Sequence, residues 1–137
     1  MKRYLIIDDD ALGRLILQDF LSEFAPCDCA VNGKEALELF EKALEGGSPY
    51  DLICVDLIMP EMNGLAFIRR IRNIEKDHPF YTTGNRTKIF VISASDSQWD
   101  KADLLLDNLC EDFISKPFNR NALRANLLKH DLINSYV

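Results

Sequence analysis

The sequence predicts an α/β protein with a single doubly wound, five-stranded parallel sheet of strand order 2-1-3-4-5. Short apolar runs at Tyr4–Ile7, Leu52–Val55 and Ile89–Ile92 are typical of strands that are buried on both faces of a parallel sheet. Segments with apolar residues every three or four positions lie between these runs, which indicates that strands alternate with helices. Right-handed crossovers and short connections then favour this strand order.

Two helices separate the first three strands. Their apolar residues recur at helical spacing with charged residues between them, so we expect these apolar residues to face the core. A weak second strand at about 27–31 precedes Asn32 and Gly33, where the second helix begins, and Gly46 and Gly47 end that helix. The expected core positions are Leu12, Leu15, Ile16 and Phe20 in the first helix and Ala36, Leu37, Phe40 and Leu44 in the second.

The second half of the chain continues the alternation. A third helix starts after the turn at Asn63 and Gly64 and buries Leu65, Ile68 and Ile71. The stretch 73–88 is polar and has no helical period, so it is predicted to be a surface loop that acts as a mobile connector.

Three further elements complete the fold. A fourth helix at about 97–107 has Leu104 and Leu105 as core candidates. A fifth strand at about 112–115 leads to a last helix at about 119–133, for which Asn119 is the expected cap.

Bulk composition narrows the class of protein. A length of 137 residues suits one domain with its own core, so we expect residues 1–137 to form one domain with no output domain. The net charge of -6 argues against nucleic-acid binding, because phosphate backbones are bound by clustered Lys and Arg. The cysteines lack paired zinc-ligand spacing, and no run of about twenty apolar residues occurs. We therefore expect a cytoplasmic protein with no membrane contact.

Acidic, hydroxyl and amine groups stand where the apolar runs end. Because the carboxyl ends of parallel strands meet at one edge of a sheet, we expect these groups to share a crevice. Clustered carboxylates require a balancing cation, and an all-oxygen set favours Mg²⁺. The groups are Asp8, Asp9, Asp56, Ser93, Ala94 and Lys116.

Such a set matches the needs of phosphoryl transfer to a carboxylate. An aspartate can act as the nucleophile and form an aspartyl phosphate. The Lys116 cation, the Ser93 hydroxyl and the backbone N–H of Ala94 would then meet the charge on the phosphoryl oxygens.

Over residues 2–135 the chain resembles the receiver domain of two-component response regulators, and in particular the stand-alone chemotaxis receivers with a flavodoxin-like (βα)5 fold. Four motifs carry the resemblance, in order. They are the pair Asp8-Asp9, the run Asp56-Leu57-Ile58-Met59-Pro60-Glu61-Met62-Asn63-Gly64, the pair Ser93-Ala94, and Lys116-Pro117-Phe118.

The resemblance implies that Asp56 is a phosphoacceptor, charged by a sensor histidine kinase or a histidine phosphotransfer protein. Asp9, Asp56 and the backbone carbonyl of Ile58 would bind Mg²⁺ directly, with Mn²⁺ as a possible substitute, and Asp8 would act through water. Lys116 would pair with the phosphoryl group and Ser93 would move towards it. A cis peptide bond between Lys116 and Pro117 is implied as well. Such a protein assists its own phosphorylation and dephosphorylation but is not a conventional enzyme.

Three positions depart from the family pattern. Ser93 replaces the more common Thr but keeps the hydroxyl. Phe113 stands at the position of the switch aromatic, often Tyr, and is either a core residue or a rotameric switch. Leu109 stands where Gly is usual, so Asn108 could adopt the left-handed conformation instead.

Two flanking positions influence how water reaches the phosphoryl group in the family. They are Ile58, two residues after the acceptor, and Ser95, two residues after Ser93. Because the apolar side chain of Ile58 cannot orient a water molecule, we predict a relatively long-lived aspartyl phosphate.

The resemblance also implies an output surface for a downstream protein. This surface comprises the fourth helix, the fifth strand and the fifth helix, with Trp99, Lys101, Leu105 and Phe113 as candidates, although Trp99 can equally be a packing residue. Two other function classes remain: an interaction module without phosphorylation, and a hydrolase or flavodoxin-like nucleotide binder. The intact acids, Ser93 and Lys116 argue against the first. The lack of a Gly-rich phosphate loop and of an Asp-x-Asp pair argues against the second.

Overall fold

Five parallel strands form one sheet in the order β2-β1-β3-β4-β5. The structure is a computed structural model that describes residues 2–59, 62–81, 84–94 and 98–134, without the side chains of residues 98–100. The strands are β1 (Tyr4–Ile7), β2 (Cys27–Ala30), β3 (Leu52–Val55), β4 (Lys88–Ser93) and β5 (Asp112–Ser115). The helices are α1 (Ala11–Leu21), α2 (Gly33–Glu45), α3 (Gly64–Asp77), α4 (Gln98–Leu106) and α5 (Arg120–Lys129), with a short 3₁₀ turn at Pro79–Tyr81.

Side-chain caps fix where four of the helices begin. Asp10, Asn32, Asn63 and Asn119 precede α1, α2, α3 and α5, and the side-chain oxygen of each accepts a hydrogen bond of 2.8–3.1 Å from the backbone N–H three residues further on. Such caps satisfy N–H groups that have no partner within the helix. The caps set the length of the loops that join the carboxyl ends of the strands to the following helices.

The core lies in two layers, one on each face of the sheet. Alternate strand residues point to opposite faces, so Ile6 and Cys54 contact one layer while Ile7 and Val55 contact the other. The first layer packs against α1 and α5, and the second packs against α2, α3 and α4. Helices therefore cover both faces, and only the edges of the sheet are left to form a site. Among the described residues, no helix has the length and apolar character needed to cross a bilayer.

Several sequence-based predictions are confirmed. The strand order and the alternation of five strands with five helices are as expected. The predicted bounds of β5 agree with the structure. Asn108 has a φ of 54°, the left-handed conformation expected there in place of a glycine.

The prediction of a surface loop at 73–88 is wrong for most of this stretch, although residues 84–87 are a described connection without regular structure. Helix α3 continues to Asp77, the 3₁₀ turn follows, and β4 begins at Lys88. Tyr81 and Thr87 are buried. The polar composition misled the prediction because several polar residues in and around this stretch form a buried hydrogen-bond network and do not face solvent. Residues 82 and 83 lie outside the described part of the chain.

Of the four core positions predicted in the first helix, Phe20 is confirmed and the other three are wrong. Leu12, Leu15 and Ile16 are 63%, 62% and 41% exposed, whereas Leu17 and Phe20 are buried. The helix carries two overlapping apolar stripes, and contact with α5 and the sheet selects the one that contains Leu17 and Phe20.

Smaller differences concern the last two helices. On α4, Leu104 is fully buried but Leu105 is 45% exposed. Helix α5 ends at Lys129 and not near residue 133, because His130 is the C-cap and Asp131 takes a φ of 58°.

Candidate functional site

The carboxyl edge of the sheet brings four of the predicted side chains into direct contact. Asp8 and Asp56 directly follow the neighbouring strands β1 and β3, Ser93 ends β4, and Lys116 directly follows β5. The Lys116 Nζ donates to Asp8 Oδ2 at 2.6 Å and to Asp56 Oδ2 at 2.9 Å. The Ser93 hydroxyl donates to Asp56 Oδ1 at 2.9 Å. Residues that are up to 108 positions apart in the chain therefore share one hydrogen-bond network.

Burial makes these contacts strong. Asp8 is 1% exposed, Asp56 is 9% exposed and Ser93 is fully buried, while Asp9 beside them is exposed. Burial by itself lowers the pKa of Lys116, but the hydrogen bonds to Asp8 and Asp56 outweigh it and raise the pKa above its usual value. The amine therefore stays charged between two carboxylates.

Backbone groups orient the two buried carboxylates further. Asp8 Oδ1 accepts from the N–H of Asp10 at 2.9 Å, and Asp56 Oδ1 accepts from the N–H of Ile58 at 3.0 Å. On the other side of the loop, Gly64 lies so close to the backbone that a Cβ atom there would be 2.5 Å from the carbonyl oxygen of Asp56. Only glycine allows α3 to approach Asp56 this closely.

The acidic residues fit a hard divalent cation. One carboxylate oxygen each from Asp8, Asp9 and Asp56 lies within 4.8 Å of the others. Oxygen donors on a partly open site suit Mg²⁺, which keeps several of its waters and takes one or two carboxylates. The Lys116 amine contacts two of these three carboxylates, Asp8 and Asp56, so a further positive charge would stabilise the group.

The other predicted residues lie around this network. The Ile58 side chain is 63% exposed, and Ala94 is exposed directly after β4. Phe113 is half-buried against the core layer of α2–α4, with the Lys101 Nζ 5.8 Å from its ring centroid. Phe113 therefore lies at the boundary between this core layer and solvent. The flanking position Ser95 lies outside the described residues, as does the Trp99 side chain. The peptide bond between Lys116 and Pro117 is cis.

Two features of α1 were not anticipated from the sequence. Arg14 donates from Nη1 to the backbone carbonyl of Asp8 at 2.7 Å, and Gly13 lies against the Asp8 side chain. The exposed apolar face of α1 also borders a groove of about 410 Å³ that reaches Lys116, Pro117 and Phe118. The signal in the sequence was an excess of apolar residues in α1 over what one buried stripe requires.

The fold and the acidic site define a class of phosphoryl-accepting signalling domains, and comparison with known proteins agrees. The response regulator receiver domain family matches residues 4–128. The chain is 33% identical over 119 residues to the chemotaxis protein CheY of Thermotoga maritima, covering 85% of this chain and 87% of that protein. The chain therefore belongs to the response regulator receiver family of two-component systems.

Solved structures show the same fold. A chain in the co-crystal structure of the Saccharomyces cerevisiae histidine phosphotransfer protein Ypd1 and the receiver domain of the response regulator Ssk1 has a TM-score of 0.76 and 28% identity, and the match covers 93% of this chain and 87% of that one. Thermotoga maritima TrrA, solved in complex with Mg²⁺ and BeF, has a TM-score of 0.72 and 30% identity, covering 95% and 99% of the two chains.

Coverage differs among the relatives. The chain spans only 11% to 51% of several other curated relatives that it matches, including the histidine kinase CKI1 of Arabidopsis thaliana. Receiver domains are signalling proteins that typically bind Mg²⁺ and pair with histidine kinases or phosphotransfer proteins, and they are not conventional enzymes.

Proposed function

We propose that Asp56 accepts a phosphoryl group from the phosphohistidine of a sensor histidine kinase or a histidine phosphotransfer protein. A carboxylate oxygen of Asp56 attacks phosphorus, the phosphorus–nitrogen bond breaks, and the imidazole leaves and takes up a proton from solvent. The observation that carries this proposal is the Lys116 amine held 2.9 Å from Asp56 while Ser93 donates to the other oxygen of the same carboxylate. These groups lie where charge develops during the transfer.

The acidic residues would hold Mg²⁺, or Mn²⁺ in its place. Asp9, Asp56 and the backbone carbonyl of Ile58 are the proposed direct ligands, and Asp8 would act through a bound water. Bound Mg²⁺ supplies positive charge to the phosphoryl oxygens and so lowers the repulsion between them and the carboxylates. The all-oxygen donor set supports this assignment, as does the similarity to TrrA, which was solved with Mg²⁺ and BeF.

Three groups would stabilise the aspartyl phosphate. Lys116 would transfer its hydrogen bond from Asp56 to a phosphoryl oxygen. Ser93 would do the same with its hydroxyl, and the N–H of Ala94 would donate beside it. Since Lys116 and Ser93 already contact the acceptor carboxylate, only short movements are required.

The exposed apolar face of α1 is the proposed docking surface for the phosphodonor. Leu12, Leu15 and Ile16 expose apolar area next to the acceptor site, and the groove behind them is continuous with Lys116 and Phe118. A helix that carries the phosphohistidine can bury its apolar side here while the imidazole reaches Asp56. The similarity to a chain of the Ypd1–Ssk1 complex supports this type of partner.

The output surface is proposed to lie on α4, β5 and α5. Lys101, Leu105 and Phe113 are the described candidates, and the exposed Leu106 extends the apolar area. Phosphorylation changes the charge and hydrogen bonding at Ser93 and Lys116, and the adjoining elements would present a different surface to a downstream protein. We place this signalling in the cytoplasm, because free cysteines suit a reducing compartment.

The test is incubation with acetyl phosphate and Mg²⁺, followed by intact mass and tryptophan fluorescence. The native chain should gain one phosphoryl group, and Asp56→Asn should gain none. Beryllofluoride should change the fluorescence of the native chain only. An unreactive native chain would favour an interaction module without phosphorylation, and phosphorylation of Asp56→Asn would show that the acceptor is another residue.

A further inference from the structure

Gly13 lies in the first turn of α1, directly against the side chains of Asp8 and Asp10. A Cβ atom at this position would be 2.7 Å from Asp8 Oδ2 and 3.3 Å from Asp10 Oδ2. The backbone of Gly13 is part of the helix, where alanine is strongly preferred to glycine. Helical geometry therefore does not require glycine at this position, whereas the observed orientation of the Asp8 carboxylate leaves no room for a side chain there.

The oxygen that a methyl group would displace is the one that binds Lys116. Asp8 Oδ2 accepts from the Lys116 amine at 2.6 Å, while Asp8 Oδ1 accepts from the N–H of Asp10 at 2.9 Å. The carboxylate is 1% exposed and held at both oxygens. Since the nearest atoms to the added Cβ are all side-chain atoms, the carboxylate would have to turn while the backbone could stay in place.

We propose that Gly13 is a positioning residue of the phosphoryl-transfer site. By having no side chain, it lets the Asp8 carboxylate adopt the orientation that binds Lys116 and faces the other acids. The effect of Gly13 on phosphoryl transfer rests on the proposed function. The contact between the Asp8 carboxylate and Lys116, however, exists in the protein without metal or phosphate.

The decisive variant is Gly13→Ala, studied first without metal. Turning the Asp8 carboxylate weakens one of the two carboxylate contacts of the Lys116 amine, which are 2.6 and 2.9 Å long. We expect NMR of this amine to show a changed Nζ chemical shift and faster hydrogen exchange than in the native chain. Mg²⁺ affinity should also fall roughly threefold to tenfold because a displaced Asp8 no longer faces the ion. Thermal stability does not serve as the readout, because alanine favours the helix whereas loss of the buried Asp8–Lys116 hydrogen bond has the opposite effect.

Gly46→Ala is the matched control. Gly46 caps α2 with a φ of -77°, which alanine can adopt, and it lies far along the chain from the acids. It should leave the NMR signal of the Lys116 amine and the Mg²⁺ affinity unchanged. A double-mutant cycle adds a second check: in an Asp8→Asn background, Gly13→Ala should have little further effect on Lys116.

Each outcome decides the matter. An unchanged Lys116 amine signal and Mg²⁺ affinity in Gly13→Ala would overturn the inference, and so would an equal change in Gly46→Ala. If Gly13→Ala fails to fold, the added methyl group displaces the backbone and not only the Asp8 carboxylate. That result would also overturn the inference. Failure of the native chain to accept phosphate would refute the proposed function alone, because the metal-free NMR measurement on the Lys116 amine does not depend on phosphorylation.

Discussion

Two clusters of charged side chains lie at opposite edges of the same sheet. At the carboxyl edge, the site cluster comprises Asp8, Asp9, Asp56 and Lys116, so that three carboxylates face one amine and the formal charge is 1 − 3 = −2. At the amino edge, the buried ion cluster has two guanidinium groups and two carboxylates and is neutral. Its members are Arg72, Glu75, Arg86 and Glu111.

The buried ion cluster is satisfied by the protein itself. Arg72 donates to Glu75 at 2.6 Å and also to the backbone carbonyls of Thr87 and Leu109 at 2.8 and 3.0 Å. The carboxylate of Glu75 accepts in addition from the N–H of Thr87 at 2.7 Å. Glu111 accepts from Arg72, from Arg86 and from the backbone N–H at the start of β4. The cluster therefore joins α3, β4 and the turn after α4.

The difference between the clusters separates a structural role from a chemical one. Buried charges that are balanced and fully hydrogen-bonded stabilise one arrangement, and their loss is costly. The site cluster, in contrast, carries excess negative charge near solvent. Binding of a cation or addition of a phosphoryl group can change that charge. Both clusters are rich in ionisable residues, so it is the charge balance that distinguishes them.

The largest expected effect on the free energy of unfolding comes from removing a member of the buried ion cluster. Arg72→Met removes one member and leaves Glu75 and Glu111 buried with fewer partners, so the free energy of unfolding should fall by about 3–5 kcal/mol. Urea denaturation monitored by circular dichroism measures it. Arg69→Met is the control on the same helix, because its contact with Asp107 at 3.7 Å is between exposed side chains, and it should cost less than about 1 kcal/mol. Equal losses in the two variants would contradict the distinction.

Binding of Mg²⁺ at the site cluster should raise the free energy of unfolding of the protein by an intermediate amount. A cation that binds only the folded state at about ten times its Kd raises the free energy of unfolding by about 1.4 kcal/mol. Asp9→Asn should lose this gain, because it removes an exposed carboxylate from the acidic group while Asp8 and Asp56 keep their bonds to Lys116. Arg72→Met should keep the gain. The comparison fails if Mg²⁺ stabilises Asp9→Asn as much as the native chain.

The smallest expected effect concerns a residue at the rim of the site. The Ile58 side chain is 63% exposed and apolar, so it cannot orient water towards a phosphoryl group on Asp56. Ile58→Asn provides such a group and should shorten the lifetime of the aspartyl phosphate by about fivefold, corresponding to about 1 kcal/mol in the barrier. Decay of radiolabel in Mg²⁺ measures this lifetime, and Ile58→Leu is the control. Slower decay in Ile58→Asn would reverse the interpretation.

The sequence predicted the fold well because its signals are local and redundant. Apolar runs at β1, β3 and β4 and Asn caps before α2, α3 and α5 indicate the same alternation, and few topologies accommodate it. The segment 73–88 escaped prediction because its polar residues have partners far along the chain. The Thr87 hydroxyl, for example, donates to the backbone carbonyl of Tyr50, 37 positions away, and no local pattern reveals such a pair.

For the site, the sequence determined which groups end up at the carboxyl edge: the acids, the hydroxyl and the amine each follow a strand, and parallel strands end together. Only the tertiary structure decided the orientation of those groups. It directs Lys116 to both Asp8 and Asp56, makes room for the Asp8 carboxylate at Gly13, and leaves Leu12 and Ile16 exposed beside them. The physical reason is that period and spacing act within one element, whereas side-chain contacts and exposure depend on how separate elements pack.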